Sequence, residues 1–153
     1  MAPTLAGARC LDLFAGSGLL GLEALSRGAG QVVFVDVDGQ RLERIQGHLS
    51  RLGGLTRAEC VTTSAEAYLA RAPEPFDLVF LDPPFDQGEL GRAVSALEPG
   101  WLSRDARVYL EAAIPIERFF DQRPNWRLLR SGRAGRVHYA LATPISPGEA
   151  VAS

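Results

Sequence analysis

The sequence predicts an α/β domain built on a mostly parallel sheet, with helices on both faces and a C-terminal antiparallel hairpin. Three observations predict this class. Short β-rich runs alternate with helical patterns along most of the chain, which is the order that successive strand–helix units give. The β-rich runs are almost continuously apolar, as strands buried on both faces are. Near the C-terminus, two extended runs instead flank a glycine-containing segment, a pattern typical of a hairpin.

The strands are predicted from the positions of the apolar runs. In chain order, the strands of the parallel part are Arg9–Phe14, Val32–Val35, Glu59–Thr62, Phe76–Leu81 and Arg107–Glu111. The closing hairpin pairs Trp126–Leu129 with Val137–Ala142 across Ser131–Gly135, and it adds its antiparallel strand at an edge of the sheet or inside it. Sheets of this class bind ligands beyond the carboxyl ends of their strands. Candidate site residues are therefore expected at that edge.

The helices are predicted from apolar spacing between the strands. One amphipathic helix follows from residues three and four positions apart, namely Leu42, Ile45, Leu49 and Leu52. Glycines at 53 and 54 end it. An earlier, more apolar helix spans the leucines at 19, 20, 22 and 25 and stops near Gly28. Shorter helices are predicted at Ala65–Arg71 and Glu89–Leu97.

Length and composition indicate one domain. The chain has 153 residues, and a chain of about 150 residues buries enough surface for a core without a disulfide or metal. We expect a domain over residues 1–143, a flexible tail over residues 144–153, and a monomer. Cys10 and Cys60 fit neither a disulfide framework nor a zinc site, so no metal is expected. Without a signal-peptide pattern or a run of about 18 apolar residues, the sequence predicts a cytoplasmic protein with no membrane contact.

The charge is unevenly distributed along the chain. All 16 basic residues are arginine, and the net charge is −2. The segment 118–136 alone is strongly basic, because its six arginines are opposed only by Asp121. A local basic patch on an acidic body indicates contact with a polyanion such as RNA.

A glycine-rich turn joins the first predicted strand to the first helix. Its sequence runs from Gly16 through Gly18 to Gly21, and such a turn lets the backbone pass close to a ligand. Packing alone also selects such glycines. Asp36 ends the second strand, where a carboxylate can accept the hydroxyls of an adenosine ribose. Dinucleotides and S-adenosylmethionine share this plan, but a carboxylate at Asp12 disfavours a pyrophosphate and suits the ammonium and sulfonium of S-adenosylmethionine.

The loop after the fourth strand carries the strongest chemical signal. Asp82, Pro83, Pro84 and Phe85 follow the apolar run FDLVFL. Two prolines remove two backbone donors, so the loop presents carbonyls and a carboxylate to an amino group on a planar ring. Phe85 offers a face on which a base can stack. The alternative is a rigid turn with a core aromatic residue.

These motifs together resemble the RsmD family of ribosomal RNA methyltransferases. The resemblance rests on LDLFAGSGLLGLEALSRGA, VVFVDVD, FDLVFLDPPF and VYLE, and it covers nearly the whole chain. It implies a Rossmann-like class I methyltransferase sheet and methyl transfer from S-adenosylmethionine to the exocyclic N2 of a guanine in small-subunit (16S) ribosomal RNA. The implied partner is ribosomal RNA or the assembling small subunit.

The resemblance also implies roles for individual residues. Asp12, Gly16 and Gly18 line the methionine end of the cofactor, and Asp36 holds its ribose. Phe14, Ser64 and Ala65 lie beside the cofactor, with Ser64 near the adenine where relatives often carry Asp or Asn. The catalytic loop, Asp82 with Pro83, Pro84 and Phe85, holds the target base.

Other interpretations remain open at this point. An amino-directed methyltransferase acting on DNA adenine N6 or a protein glutamine would carry the same loop. An inactive RNA-binding remnant is a further alternative, because Leu11 already lies in the first strand whereas relatives carry a basic segment ahead of it. Glu111 either faces the substrate pocket or has a structural role. The isolated histidines and the tryptophans, at His48, His138, Trp101 and Trp126, are expected to be surface, strand or packing residues.

Overall fold

The computed structural model describes residues 5–53, 55–83 and 87–145, and within them it contains one seven-stranded sheet. The strands are β1 (Arg9–Asp12), β2 (Gln31–Asp36), β3 (Ala58–Thr62), β4 (Phe76–Leu81), β5 (Leu102–Ala112), β6 (Trp126–Ala134) and β7 (Val137–Pro144). Their order across the sheet is β3-β2-β1-β4-β5-β7-β6. Strands β1 to β5 run parallel, and β7 inserts antiparallel between β5 and β6. The predicted sheet is confirmed.

Five α-helices and one 3-10 turn connect the described strands. They are α1 (Leu19–Ser26), α2 (Gly39–Leu52), α3 (Ala65–Leu69), α4 (Gln87–Leu97), α5 (Ile116–Asp121) and the 3-10 turn Leu55–Arg57. Asp38 caps α2 by accepting the backbone N–H of Gln40 at 2.9 Å. Gly53 ends α2 with φ of 74°, a conformation that glycine adopts without steric cost. The short helix α5 was not predicted, because its six residues follow a proline and carry little periodicity.

The core lies in two layers, one on each face of the sheet. Successive residues along β1, such as Cys10 and Leu11, point to opposite faces because the side-chain period of a strand is two. One layer packs the sheet against α3, α4 and α5, and the other packs it against α1 and α2. Helices therefore cover both faces, as the apolar strands predict. No helix among the described residues is long and apolar enough to cross a membrane.

The hairpin differs from the sequence prediction in its turn. Strand β6 continues through Ala134, and the turn is only Gly135–Arg136, with Gly135 at φ of 62°. The predicted turn glycine Gly132 instead lies within β6, where it pairs with Tyr139 and leaves room for that ring. At the other end, β7 runs through Pro144, and the N–H of Ile145 donates to the carbonyl of Asn125 at 2.8 Å. Residues 146–153 of the expected tail lie outside the described residues.

Candidate functional site

A cavity of about 780 Å³ opens at the carboxyl edge of the sheet, beyond the ends of β1, β2 and β4. Ligand sites of this size are common in enzymes. Six residues singled out from the sequence line it, namely Phe14, Gly16, Asp36, Ser64, Ala65 and Asp82. The cavity thus brings five of the seven predicted cofactor residues together with the predicted catalytic carboxylate, whereas Asp12 and Gly18 are not among its described lining residues.

Asp36 ties the glycine-rich loop to the end of β2. Its Oδ2 accepts the backbone N–H of Gly16 at 2.8 Å, and its Oδ1 accepts that of Asp38 at 2.8 Å. The residue is only 7% exposed. Since a carboxylate has about four acceptor sites, each oxygen retains capacity for a ligand hydroxyl. Asp36 therefore shapes the loop in addition to any contact with a ribose.

Asp12 lies beneath the start of α1 and is 3% exposed. Its Oδ2 accepts the backbone N–H of Gly21 at 3.2 Å. Burial raises the pKa of Asp12 to about 7, with smaller contributions from the carboxylates of Asp82 and Asp36. Asp12 is absent from the described lining of the cavity. Because its pKa is about 7, Asp12 is only partly ionised at neutral pH, and a nearby cation would favour the ionised form.

Two glycines of the loop motif serve packing. A side chain at Gly18 would meet Ile45 of α2, since an added Cβ would stand 2.7 Å from the Ile45 Cδ1 atom. Gly21 packs in the same way against the ring of Phe34 in β2. Gly18 is not among the described cavity-lining residues, whereas Gly16 is. The motif thus divides into one glycine at the cavity and two at the contacts that hold α1 in place.

A second cavity of about 350 Å³ adjoins the first through shared lining residues, among them Phe14, Ser64 and Ala65. Its other walls include Leu69 of α3 and Ala93 of α4, so much of its surface is apolar. The hydroxyl oxygen of Ser64 accepts the N–H of Ala67 at 3.0 Å and so caps α3. A flat, largely apolar group such as a purine suits this compartment.

The carboxylate expected to act on substrate lies on the opposite side of the larger cavity. Asp82 is exposed, immediately after β4, and Pro83 beside it is half-buried. Partial desolvation and the neighbouring Glu111 carboxylate raise the pKa of Asp82 above its usual range. The rest of the predicted catalytic loop, Pro84 and Phe85, lies outside the described residues.

Glu111 is held in place by a tyrosine on its own strand. The phenol of Tyr109 donates to Glu111 Oε1 at 2.9 Å. Burial and this hydrogen bond to a carboxylate raise the pKa of Tyr109, so the phenol stays protonated. Glu111 is the penultimate residue of β5 and follows Leu110, which pairs with Leu81 at the end of β4; its charge acts on Asp82. The structure therefore places Glu111 next to Asp82, at the carboxyl end of β4.

Helix α2 also presents a polar face to the cavity, which was not predicted from the sequence. Arg41, Arg44 and His48 line the cavity at spacings of three and four residues, which place them on one side of a helix. The Arg41 guanidinium lies 3.8 Å from Asp36 Oδ2, and Arg51 interacts with His48 Nδ1 at 3.0 Å. The spacing is visible in the sequence, but the helix was predicted from its apolar face alone.

The arginine-rich hairpin reaches the same edge of the sheet. Ala112 at the end of β5 pairs with His138, and Ala134 pairs with Val137, so the turn projects beyond the carboxyl end of β5. Exposed arginines follow β6 and the turn, at Arg127, Arg130, Arg133 and Arg136. Trp101 and Trp126 are buried packing residues, as expected. The turn end of this basic surface, with Arg133 and Arg136, therefore lies at the same edge of the sheet as Asp82 and Glu111.

Comparison with known proteins shows which family the chain belongs to. The chain matches the family described as conserved hypothetical protein 95 over residues 1–143. It is 38% identical to the ribosomal RNA small subunit methyltransferase D of Escherichia coli K12 over 151 residues, 97% of this chain and 75% of the relative. The methyltransferase of the same name from Haemophilus influenzae is 36% identical over 143 residues, 91% of this chain and 73% of the relative.

A solved structure shares both the fold and the sequence pattern. It is the putative methyltransferase yhhF from Escherichia coli, which superposes with a TM-score of 0.86 at 37% identity and covers 95% of this chain and 81% of its own. The resemblance read from the sequence motifs is confirmed. The chain belongs to the RsmD family of ribosomal RNA methyltransferases, and its sheet is the Rossmann-like sheet of that family.

Proposed function

We propose that this protein transfers a methyl group from S-adenosylmethionine to the exocyclic N2 of a guanine in 16S ribosomal RNA. The observation that carries the proposal is the cavity that runs from Gly16 and Asp36 to Asp82 at one edge of the sheet. The names of the relatives, which describe ribosomal RNA small subunit methyltransferases, support small-subunit ribosomal RNA as the substrate.

The residues at the β1–β2 end suit the cofactor. Asp36 has acceptor capacity left for the ribose hydroxyls, and Phe14, Ser64 and Leu69 border a compartment for the adenine. The methionine end carries an ammonium and a sulfonium, and both positive groups favour the ionised form of Asp12, whose pKa is otherwise about 7. When bound, S-adenosylmethionine supplies an electrophilic methyl group on its sulfonium sulfur.

The residues at the β4–β5 end suit an amino group attached to a base. Asp82 and the carbonyl of Pro83 accept its hydrogens and point the nitrogen lone pair at the methyl group. In the transfer, a nitrogen–carbon bond forms as the carbon–sulfur bond breaks in line with it. The carboxylate stabilises the positive charge that develops on nitrogen, and a proton then leaves that nitrogen for water. Most of the rate enhancement comes from positioning.

Labelled methyl transfer tests the proposal directly. The protein is incubated with methyl-labelled S-adenosylmethionine and with small ribosomal subunits, free 16S ribosomal RNA, adenine-containing DNA or a glutamine-containing protein. The expected product is N2-methylguanine in 16S ribosomal RNA. Label in adenine or glutamine would identify the other amino-directed activities. Absence of both S-adenosylmethionine binding and methyl transfer contradicts the proposal and favours an RNA-binding remnant. S-adenosylmethionine binding without transfer to any of these substrates contradicts the proposed activity.

A further inference from the structure

A second surface feature, separate from the cofactor cavity, lies between α4 and α5. It is an open groove of about 860 Å³. One wall is formed by residues of α4, including Gly91 and Arg92, and the other by Arg118, Phe119 and Arg123 of α5 and the residues after it. Three arginines line the groove, and no carboxylate is among its described lining residues. Such a surface favours an anionic partner.

Arg123 is fixed in this groove by contacts that leave its charge intact. Its guanidinium carbon lies 3.8 Å from the centroid of the Phe119 ring, and its Nη1 donates to the Phe119 carbonyl at 3.1 Å. Within residues 5–53, 55–83 and 87–145, neither Arg118 nor Arg123 forms an ion pair with a carboxylate. A stacked guanidinium loses less conformational entropy on binding an anion than a mobile one.

A glycine on the facing helix makes room for that guanidinium. A Cβ added at Gly91 would stand 2.9 Å from Arg123 Nη2. Glycine is unfavourable inside a helix, by about 1 kcal/mol relative to alanine. Gly91 lies in the middle of α4, and the absence of a side chain there lets Arg123 lie close to the helix backbone.

The groove is also placed next to the substrate side of the site. Helix α4 begins at Gln87, shortly after Asp82 and Pro83 in the chain. Arg92 lines both the groove and the compartment that adjoins the cofactor cavity. A polymer whose reacting base lies at Asp82 therefore passes within reach of this surface.

We propose that the groove between α4 and α5 binds backbone phosphates of the substrate RNA, with Arg118 and Arg123 as contact residues. This inference rests on the proposed function, because it takes RNA as the polymer that enters the site. Arginine suits the role, since its planar fork of donors matches the oxygens of a phosphate. The groove and the hairpin arginines then form two basic surfaces that bind different stretches of one RNA.

The test measures binding of a 16S ribosomal RNA transcript at several salt concentrations. Arg118→Ala and Arg123→Ala are compared with wild type and with Arg104→Ala, which removes an equal charge from an exposed site at the opposite end of the sheet. We expect each groove variant to reduce the slope of log affinity against log salt by about 0.7–0.9 for each phosphate that the protein no longer neutralises. Arg104→Ala should leave the slope unchanged.

Two glycine substitutions distinguish the effect of the position of Arg123 from the effect of its charge. Gly91→Ala keeps every arginine but displaces the Arg123 guanidinium, whereas Gly47→Ala adds the same methyl group in α2 with no atom within 4 Å. We expect weaker RNA binding for Gly91→Ala and unchanged binding for Gly47→Ala. Both variants are expected to remain folded, because alanine is the better helix former.

The outcomes distinguish this inference from the proposed function. Slopes that fall equally for the groove variants and for Arg104→Ala, or that do not change at all, overturn the groove as an RNA site. Wild-type protein that fails to bind the transcript overturns it as well. Groove variants that lose RNA binding, in a protein that methylates no RNA, support the groove and contradict the proposed function instead.

Discussion

The two ends of the carboxyl edge of the sheet differ in how their carboxylates are held. At the β1–β2 end, Asp12 and Asp36 are buried and accept backbone N–H groups of the loops around them. At the β4–β5 end, Asp82 is exposed and Glu111 is half-buried, with a tyrosine hydroxyl as its partner. Substitution of Asp12 or Asp36 is therefore expected to change the shape of the cavity. Substitution of Asp82 or Glu111 removes an acceptor and leaves the loops at the β1–β2 end in place.

The largest expected effect is on turnover at the β4–β5 end. Asp82→Ala should lower the rate of methyl transfer by about 10²–10³, the usual effect of removing one preorganised electrostatic interaction. Cofactor affinity should stay close to that of wild type, because Asp36 and the glycine loop are untouched. Single-turnover methyl transfer and calorimetric binding measure the two quantities.

Asp82→Asn is the matched control for this prediction. Its amide oxygen retains one acceptor without the charge, so we expect a rate between those of wild type and Asp82→Ala. Wild-type turnover in the alanine variant would mean that the loop is only a structural turn.

At the β1–β2 end, one substitution is expected to affect binding and stability together. Asp36→Ala removes the acceptor of two backbone N–H groups, at Gly16 and Asp38. We expect S-adenosylmethionine binding to weaken by about 1.5–3 kcal/mol and the free energy of unfolding to fall by about 1–3 kcal/mol. Calorimetry and chemical denaturation measure these quantities.

Asp38→Ala provides the comparison, since it removes the cap of α2 without removing the Asp36 carboxylate. It should lower stability by about 0.5–2 kcal/mol with little change in affinity. Unchanged cofactor affinity in a folded Asp36→Ala protein would exclude a ribose contact by Asp36.

The same two regions show which features of the site could be predicted from the sequence and which could not. The bounds of β4 follow directly from FDLVFL, because a continuous apolar run between polar flanks defines a buried strand. Gly16 and Asp36 could both be assigned to the cavity from their places after strands. Their bond to each other is a tertiary contact between residues 20 positions apart, and no local pattern predicts it.

Residue type alone also did not distinguish glycines that line the cavity from glycines that serve packing. Gly16 and Gly18 share one motif and both have positive φ, yet Gly18 faces Ile45 whereas Gly16 lines the cavity. The difference arises from the position of α2, which the motif does not specify. In the same way, Glu111 could be assigned to the site only when the register of β4 and β5 placed it beside Asp82.

The next prediction concerns pH at the β1–β2 end. The pKa of Asp12 is about 7 in the folded protein and about 3.9 in an unfolded chain. The folded state therefore binds the proton more tightly, and stability from this group falls as the pH rises from about 4 to about 7. A cofactor cation favours the ionised form, so S-adenosylmethionine binding should tighten with rising pH below about 7, by at most about tenfold per unit.

Asp12→Asn tests both parts. It should remove this pH dependence of binding and stabilise the protein above about pH 7, where wild type buries a charge. Calorimetry in buffers of different ionisation enthalpy detects the proton that wild type releases on binding. Equal proton release by wild type and Asp12→Asn would assign the titration to another group.

The smallest expected effect is a shift in the pH profile at the β4–β5 end. Asp82 must be ionised to accept the amino hydrogens, and its pKa is raised by partial desolvation and by the Glu111 carboxylate. Methyl transfer should therefore fall as the pH is lowered through that raised pKa. Glu111→Gln removes the charge but keeps an acceptor for Tyr109, so the acid limb of the profile should move to lower pH.

Tyr109→Phe is the control, because it frees Glu111 without neutralising it and should leave the acid limb at or above its wild-type position. An acid limb that does not move in Glu111→Gln would mean that Glu111 does not act on Asp82 during the reaction and that its role is confined to holding the end of β5.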